Sequence, residues 1–227
     1  ERFQNEQIYG KGNGPNSSSS GSIDISSASG IEDNWELNLK ETQSNLSIEE
    51  IYKGKNIPKP GDPPSDFHDL IGHDEYYLAR KIDYELRHSG QKAPNYYEEY
   101  GNVYLHKFKY GTRKSLWPEG KTWNDSALVK LQRPIEEAVK TSQGKIEEDS
   151  VKFRKFAFDA HPRAYIDAGL FTLSIQDLMK IAFTPSFDHL FSEEGVQQIR
   201  TVAKECLSMK FNCFVPIMKK TVERLLP

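Results

Sequence analysis

The chain has 227 residues and a formal net charge of -3, and 37% of its residues are hydrophobic, 28% charged and 11% aromatic. These proportions exclude a collagen, a coiled coil, a disulfide-dense scaffold and a wholly disordered protein. No run approaches the roughly 18 consecutive apolar residues of a membrane span, and the net charge argues against a dedicated nucleic-acid-binding protein. The sequence starts Glu1-Arg2-Phe3, without a methionine or an apolar signal core, so we expect a fragment or processed piece.

The first 64 residues are predicted to be an acidic tail and a disordered linker. Residues 17–30 contain eight serines. Such a segment has almost no apolar side chains whose burial could offset the backbone entropy lost on folding. Residues 31–47 alternate apolar and polar side chains, which favours either a short strand or a segment that docks on the domain. Residues 56–64 contain four prolines, which prevent a helix. We therefore place the domain boundary after residue 64.

Residues 65–227 are predicted to form a compact domain that is mainly helical, in the α+β class. Ser65 or Asp66 can cap a first helix whose apolar side chains recur at three- and four-residue spacing, and Gly90 is placed to end it. After this helix, an alternation of side chains with a period of two replaces the helical spacing and predicts a strand. One face of this strand would carry Tyr104, His106, Phe108 and Tyr110. We therefore expect a small β-hairpin near residues 102–110.

Helical spacing resumes in the second half of the chain. It predicts a helix over residues 128–139 with Pro134 as a kink, and a helix over residues 151–160 that Pro162 stops. Three short helices are predicted to finish the chain, beginning at Ser174, at Ser192 and near Phe214. The sequence has no internal repeat of fixed period, so a solenoid is not expected.

The two cysteines, Cys206 and Cys213, are seven residues apart. On one continuous helix they would stand about 10 Å apart by rise alone, beyond disulfide reach, so a bridge requires a turn between them. Two buried free cysteines and a bridge both remain open. A bridge would imply an oxidising compartment and hence a secreted or periplasmic protein, with a cytoplasmic location as the alternative.

The first predicted helix also carries a polar stripe. Its members recur at three- and four-residue spacing: Asp69, His73, Tyr76, Arg80, Asp83 and Arg87. Alternating acids and bases are typical of a solvated face, although in a cleft the same stripe would form a polar wall. Asp69 and His73 have the i,i+4 separation that lets two side chains reach one metal ion, yet the sequence contains no His-Glu-x-x-His and no paired-cysteine spacing. We therefore expect no metal and no cofactor.

Three carboxylates precede the predicted hairpin. Glu85 lies near the end of the first helix, and Glu98 and Glu99 follow after a loop. This order of helix, acids, hairpin and further helices resembles the lysozyme-like fold, which implies a sugar cleft where Glu85 donates a proton and a second carboxylate assists. Substrate contacts are expected from aromatic side chains that can stack on sugar rings and from one arginine: Tyr96, Tyr97, Tyr104, Trp117 and Arg113.

Two further segments carry reactive or basic side chains. His161, which Pro162 holds extended, lies near two aspartates and is a second candidate for a general base, against the alternative of a loop histidine bonded to backbone. Residues 106–117 place four basic side chains among aromatic ones, which suits single-stranded nucleic acid but also protects an exposed hairpin edge. We favour the hairpin edge and expect no nucleic-acid partner.

A serine-rich linker ahead of a compact C-terminal domain resembles the arrangement of secreted bacterial effectors and polymorphic toxins. This resemblance implies a secreted antibacterial effector or toxin domain that hydrolyses a cell-envelope glycan, such as peptidoglycan, by carboxylate acid/base chemistry. Its implied partners are that glycan and a cognate inhibitor or carrier protein. Two alternatives remain open: a non-enzymatic protein-binding or adaptor domain, and a metal-dependent hydrolase.

Overall fold

The computed structural model describes residues 29–185 and 193–208, with side chains placed for 35–185, 193 and 195–205. This part of the chain is mainly helical, as predicted. Its helices are α1 (Ser29–Asn45), α2 (Ile48–Ile51), α3 (Tyr76–Arg87), α4 (residues 96–115), α5 (Pro118–Thr141), α6 (Ser150–Asp167), α7 (Ile175–Ala182) and α8 (Glu193–Ser208). Single turns of 3-10 helix lie between them at His68–Leu70, Lys145–Glu147 and Leu170–Thr172.

The helix α4 stands where the hairpin was predicted. It is one continuous run of four segments: a π-helix over Tyr96–Asn102, an α-helical turn over Val103–His106, a second π-helix over Lys107–Thr112 and a last turn over Arg113–Ser115. No strand occurs within residues 29–185 or 193–208. The prediction of a β-hairpin near residues 102–110 is therefore wrong, and the described residues are helical without a β component.

Tertiary packing explains why α4 is helical despite its strand-favouring residues. α4 lies at the centre of the fold, with α1, α3, α5 and α6 packed against it. Tyr96, Tyr100 and Tyr104 repeat every fourth residue, and successive ring centroids stand 6.3 and 6.0 Å apart along the helix. Gly101 lets α3 approach closely, because a Cβ at this position would lie 2.5 Å from the Tyr77 ring.

The first predicted helix begins about ten residues later than expected. The caps proposed at Ser65 and Asp66 are wrong, because the following residues form only the turn His68–Leu70 before α3 begins at Tyr76. Gly72 lies between this turn and α3 and has a φ of +92°. This left-handed conformation would be strained for a residue that carries a side chain. The predicted end is confirmed, since α3 ends at Arg87 and Gly90 follows with a φ of +81°.

The packed structure reaches upstream of the boundary predicted at residue 64. α1 is a helix rather than a strand, and it packs on the second half of α4. α2 is capped at Ser47 by a reciprocal pair of hydrogen bonds with Glu50. Ile51 and Tyr52, at the end of α2, are buried in the core. The boundary at residue 64 therefore does not follow the packing, while the serine-rich residues 17–28 lie outside the described residues.

The helices of the second half follow the predicted spacing with two corrections. α5 runs through Pro134, but it begins at Pro118 rather than at residue 128. Ser174 caps α7 by accepting a hydrogen bond from the Asp177 N–H, as predicted. α6 continues through Pro162 to Asp167, so the predicted stop is wrong. Pro162 is buried beside Phe158, and this burial offsets the backbone hydrogen bond that proline cannot donate.

Two predictions fall outside the described residues. Cys213 and the side chain of Cys206 are not described, and neither is the helix predicted near Phe214. Among the residues that are described, no helix is both long and apolar enough to cross a membrane.

Candidate functional site

A group of charged side chains lies buried beside α3. We call it the ionic cluster, and it consists of Arg80, Asp83, Arg87, Glu136 and Glu147. Arg87 binds two acids at once, with Nε 2.8 Å from Asp83 Oδ2 and Nη2 2.7 Å from Glu147 Oε2. Arg80 lies 3.4 Å from Asp83 and 3.7 Å from Glu136. Three carboxylates therefore share two guanidinium groups, which leaves one excess negative charge when all five groups are ionised.

Neutral donors complete the ionic cluster. Three tyrosine hydroxyls donate to its carboxylates: Tyr52 to Asp83 at 3.1 Å, Tyr76 to Glu136 at 3.1 Å and Tyr97 to Glu147 at 2.7 Å. Two backbone N–H groups do the same: Ser65 to Asp83 at 3.3 Å and Phe67 to Glu136 at 2.7 Å. Burial raises the pKa of Glu147, and Arg80, Arg87 and Tyr97 oppose this rise. The cluster thus ties distant parts of the chain together inside the core.

The polar stripe of the first predicted helix divides into a buried and an exposed part. The members on α3 are buried, so the solvated-face interpretation is wrong for Tyr76, Arg80, Asp83 and Arg87. Asp69 and His73 precede α3 and do not share a helix, and Asp69 pairs with Lys55 at 2.5 Å. The metal alternative, which depended on their i,i+4 spacing, therefore loses its geometric basis.

A different set of metal-ligand types meets at the edge of the ionic cluster. Ligand atoms of Asp66, His68 and Glu136 lie within 4.8 Å of one another. Both oxygens of Glu136 already accept hydrogen bonds, and Lys140 Nζ lies 2.7 Å from Asp66 and lowers the pKa of that carboxyl. Because Lys140 and Arg80 already supply positive charge to these carboxylates, we assign no metal ion here.

A groove of about 980 Å³ lies between the start of α4, the side of α6 and the side of α8. We call it the α6–α8 groove. Its volume is near the upper end of ordinary ligand sites. Its neutral polar lining comes from Asn95, Ser150, Gln197, Gln198 and Thr201. Its charged lining comes from Lys92, Arg154, Lys155, Glu99, Asp159 and Glu193, and its apolar lining from Ala93, Val151, Phe158 and Pro162.

The charges of the α6–α8 groove balance one another. Three basic and three acidic residues line it, and Lys155 pairs with Asp159 at 2.7 Å. The Arg154 guanidinium lies 4.2 Å from the centre of the Tyr100 ring and 5.2 Å from that of Phe158. Arg154 Nη2 also donates to the Tyr100 hydroxyl at 2.7 Å. The groove is therefore polar but close to neutral.

His161 lies beside the α6–α8 groove, at the junction of three helices. Its Nε2 is 3.0 Å from the Tyr96 hydroxyl, and its ring packs near Phe158 and Tyr165. Burial lowers the pKa of His161 to about 4, and a hydrogen bond with Gln198 opposes this shift. Because α6 continues past it, His161 is a packed helical residue rather than the extended loop residue predicted. A histidine with this pKa is a weak base near neutral pH, and its role as a general base stays a prediction.

The three predicted carboxylates occupy two places. Glu85 and Glu98 both approach the Lys81 ammonium, at 4.0 and 3.3 Å, so the structure brings these two together. Glu99 instead lines the α6–α8 groove, where it accepts a hydrogen bond from Asn95 at 3.0 Å. Glu85 stands beside an ammonium group and its side chain is 30% exposed, unlike the apolar pocket that suits a catalytic acid.

The predicted substrate-binding residues are mostly engaged within the protein. Tyr96 and Tyr97 are buried in the core and cannot stack on a sugar ring from outside. Tyr104 is partly buried and packs against Tyr100, and Arg113 forms two hydrogen bonds with Asp125, at 2.7 and 2.8 Å. Trp117 is the exception, since 61% of it is exposed.

Three of the four basic residues of the segment 106–117 contact partners within the described part of the chain. The Lys107 ammonium lies 4.8 Å from the centre of the Trp35 ring, and Lys109 pairs with Asp74 at 2.5 Å. Together with the pairing of Arg113, these contacts engage three of the four cations that a nucleic-acid phosphate could bind in this segment. The segment is part of a central helix, so the interpretation as a protected hairpin edge is wrong.

Comparison with known proteins finds no matching family model, no matching curated protein and no matching solved structure. Sequence reasoning missed the acids Glu136 and Glu147 and the groove residues Arg154, Gln197 and Gln198. One available signal was Glu136, which falls three residues before the core residue Val139 on a helix whose buried side the spacing already indicates.

Proposed function

We propose that the domain is a protein-binding module and that the α6–α8 groove holds an extended polypeptide segment of its partner. The chemistry of the groove lining supports this proposal. Three amide side chains and two hydroxyls can exchange hydrogen bonds with a peptide backbone. Val151, which is 78% exposed, adds apolar contact area for a partner's side chains.

Two further features favour a polypeptide over a glycan or a nucleic acid in this groove. The one aromatic ring among the described lining residues is Phe158, which is only 9% exposed, and sugar rings bind best on exposed aromatic faces. The balance of three basic and three acidic residues disfavours a polyanion, which needs excess positive charge.

Filling the α6–α8 groove should abolish peptide binding there. Peptides selected from a random display library against the chain should bind Thr201→Trp more weakly by roughly tenfold or more, because the indole occupies the groove. Thr122→Trp is the matched control: both threonines lie on helices and donate to the carbonyl four residues earlier, but Thr122 lies at the start of α5, away from the groove. Fluorescence polarisation measures both affinities. If no peptide is enriched, or if Thr201→Trp binds as well as the control, the proposal fails.

As a second proposal, the domain is a secreted glycan hydrolase that acts on the cell envelope. Its partner would be an inhibitor or a carrier protein. The approach of Glu85 and Glu98 to the same lysine favours it, because a glycosidase needs two neighbouring carboxyl groups. The resemblance that suggested it is weaker without the hairpin, which would form the other side of the sugar cleft. We therefore place this proposal second.

Glu85→Gln tests the hydrolase directly. It removes the proton donor while keeping the shape of the side chain, so any peptidoglycan hydrolysis should fall by roughly a hundredfold, with stability changed by less than about 1 kcal/mol. Glu119→Gln, an exposed acid at the start of α5, should leave the activity unchanged. Release of reducing ends from purified peptidoglycan measures the activity. An inactive wild type, or a fully active Glu85→Gln, contradicts the hydrolase.

A further inference from the structure

We propose that His161 makes the docking of α8 on α6 sensitive to acid, so that the α6–α8 groove loses its α8 wall when this histidine is protonated. The proposal rests on the proposed function in one respect: the groove that it opens is the proposed binding site. The position of His161 carries the argument. It belongs to α6, bonds Tyr96 of α4 at 3.0 Å and meets Gln198 of α8, so it contacts all three helices that form the groove.

Protonation changes the hydrogen bonds that His161 can make. The Tyr96 hydroxyl lies 3.0 Å from His161 Nε2, and burial raises the pKa of Tyr96 well above its ordinary value, so this hydroxyl keeps its proton. In the imidazolium both ring nitrogens are donors, so the hydrogen bond with Tyr96 persists only if the hydroxyl oxygen turns to accept from Nε2–H. The charge would also lie among Phe158, Tyr165 and Tyr96 at ring-centre distances of 5.1, 5.7 and 6.4 Å, and because His161 is partly buried, water solvates this charge incompletely.

The other titratable groups around His161 and along the α6–α8 groove are of two kinds. Tyr96 is buried and Tyr165 is partly buried, and the pKa values of both phenols are raised, so they stay neutral in acid. Charged groups line the groove from all three helices: Glu99 on α4, Arg154, Lys155 and Asp159 on α6, and Glu193 on α8. Removing the imidazole alone separates its effect from that of these carboxylates.

The size of the effect follows from the pKa difference. When α8 undocks, His161 meets water and its pKa returns from about 4 towards its ordinary value of 6.5. Acid therefore favours the undocked state, and the ratio of undocked to docked molecules should rise by about 20-fold between pH 7 and pH 5.

Amide hydrogen exchange of the full chain tests this directly. After correction for intrinsic exchange rates, protection of α8 should fall by about 20-fold between pH 7 and pH 5, while protection of α5 stays constant. His161→Gln keeps an acceptor for Tyr96 but does not titrate, so it should remove the pH dependence. His88→Gln, at the end of α3 where the imidazole stacks on Tyr84, should preserve it.

Two results overturn the proposal: equal protection of α8 in the wild type at both pH values, and an unchanged pH dependence in His161→Gln. The wild-type result stands even if the variant fails to fold. Because exchange is measured without a peptide, the test is independent of the binding function. A fall in α8 protection supports the acid-sensitive docking even when no peptide binds the groove, which would refute the proposed function alone.

Discussion

Arg80→Met should lower the free energy of unfolding by about 3–5 kcal/mol, because it removes one of two cations from the ionic cluster and leaves three buried carboxylates. The Arg80 guanidinium donates to the Ser65 carbonyl at 2.7 Å and lies 4.3 Å from the centre of the Phe67 ring. Methionine fills much of this space but supplies neither charge nor donor. The melting temperature should fall by roughly 6–20 °C, measured by circular dichroism during thermal unfolding.

Arg113→Met provides the matched control for this loss. Arg113 also pairs with an aspartate, but 38% of its side chain is exposed, so its removal should cost less than about 1 kcal/mol. Glu136→Gln in the Arg80→Met background should restore about 1 kcal/mol or more, because it removes an uncompensated charge. Equal losses in Arg80→Met and Arg113→Met would contradict the description of a buried, charge-coupled cluster.

The ionic cluster illustrates what local spacing can and cannot predict. The stripe Tyr76, Arg80, Asp83 and Arg87 is visible in the sequence, and its helix was predicted. Whether such a stripe faces water or protein depends on its partners, and Glu136 and Glu147 lie about 50 to 60 residues further along the chain. Short-range charge alternation therefore predicts the helix but not its surroundings.

The sequence of α4 likewise does not show by itself whether the segment forms a strand or a helix. Tyr104, His106, Phe108 and Tyr110 alternate as a strand would, and aromatic side chains favour strands. A second pattern is also present, since Tyr96, Tyr100, Tyr104 and Phe108 recur every four residues, as in a wide helical turn. Local sequence does not decide between these patterns. Burial of α4 among four other helices does.

The candidate site was only partly predictable for a similar reason. His161 and Glu99 were singled out and both lie at the α6–α8 groove, but the groove itself requires α8 to pack on α6. Residues such as Gln197 and Gln198 carry no sequence signal, because amides on a helix are ordinary surface residues. They become candidates only through the side chains that face them.

Alkaline pH should lower the free energy of unfolding of the domain strongly. Burial raises the pKa of Tyr76, Tyr77, Tyr96 and Tyr97 well above the ordinary value of 10. The folded state therefore keeps four protons that the unfolded chain releases above pH 10, so stability is complete below that pH and falls as the pH rises further. Each tyrosine contributes up to about 1.4 kcal/mol per pH unit. Four contribute about 5 kcal/mol per pH unit, comparable with the whole stability of an ordinary domain.

The domain should therefore unfold cooperatively roughly one to three pH units above pH 10, with tyrosinate absorbance of the buried residues appearing as the helical circular dichroism is lost. Tyr77→Phe removes one of the four protons and should make the decline of unfolding free energy with pH less steep by about 1.4 kcal/mol per pH unit. If all tyrosines ionise while the helical signal persists, or if Tyr77→Phe leaves the slope unchanged, the buried tyrosine core described here is contradicted.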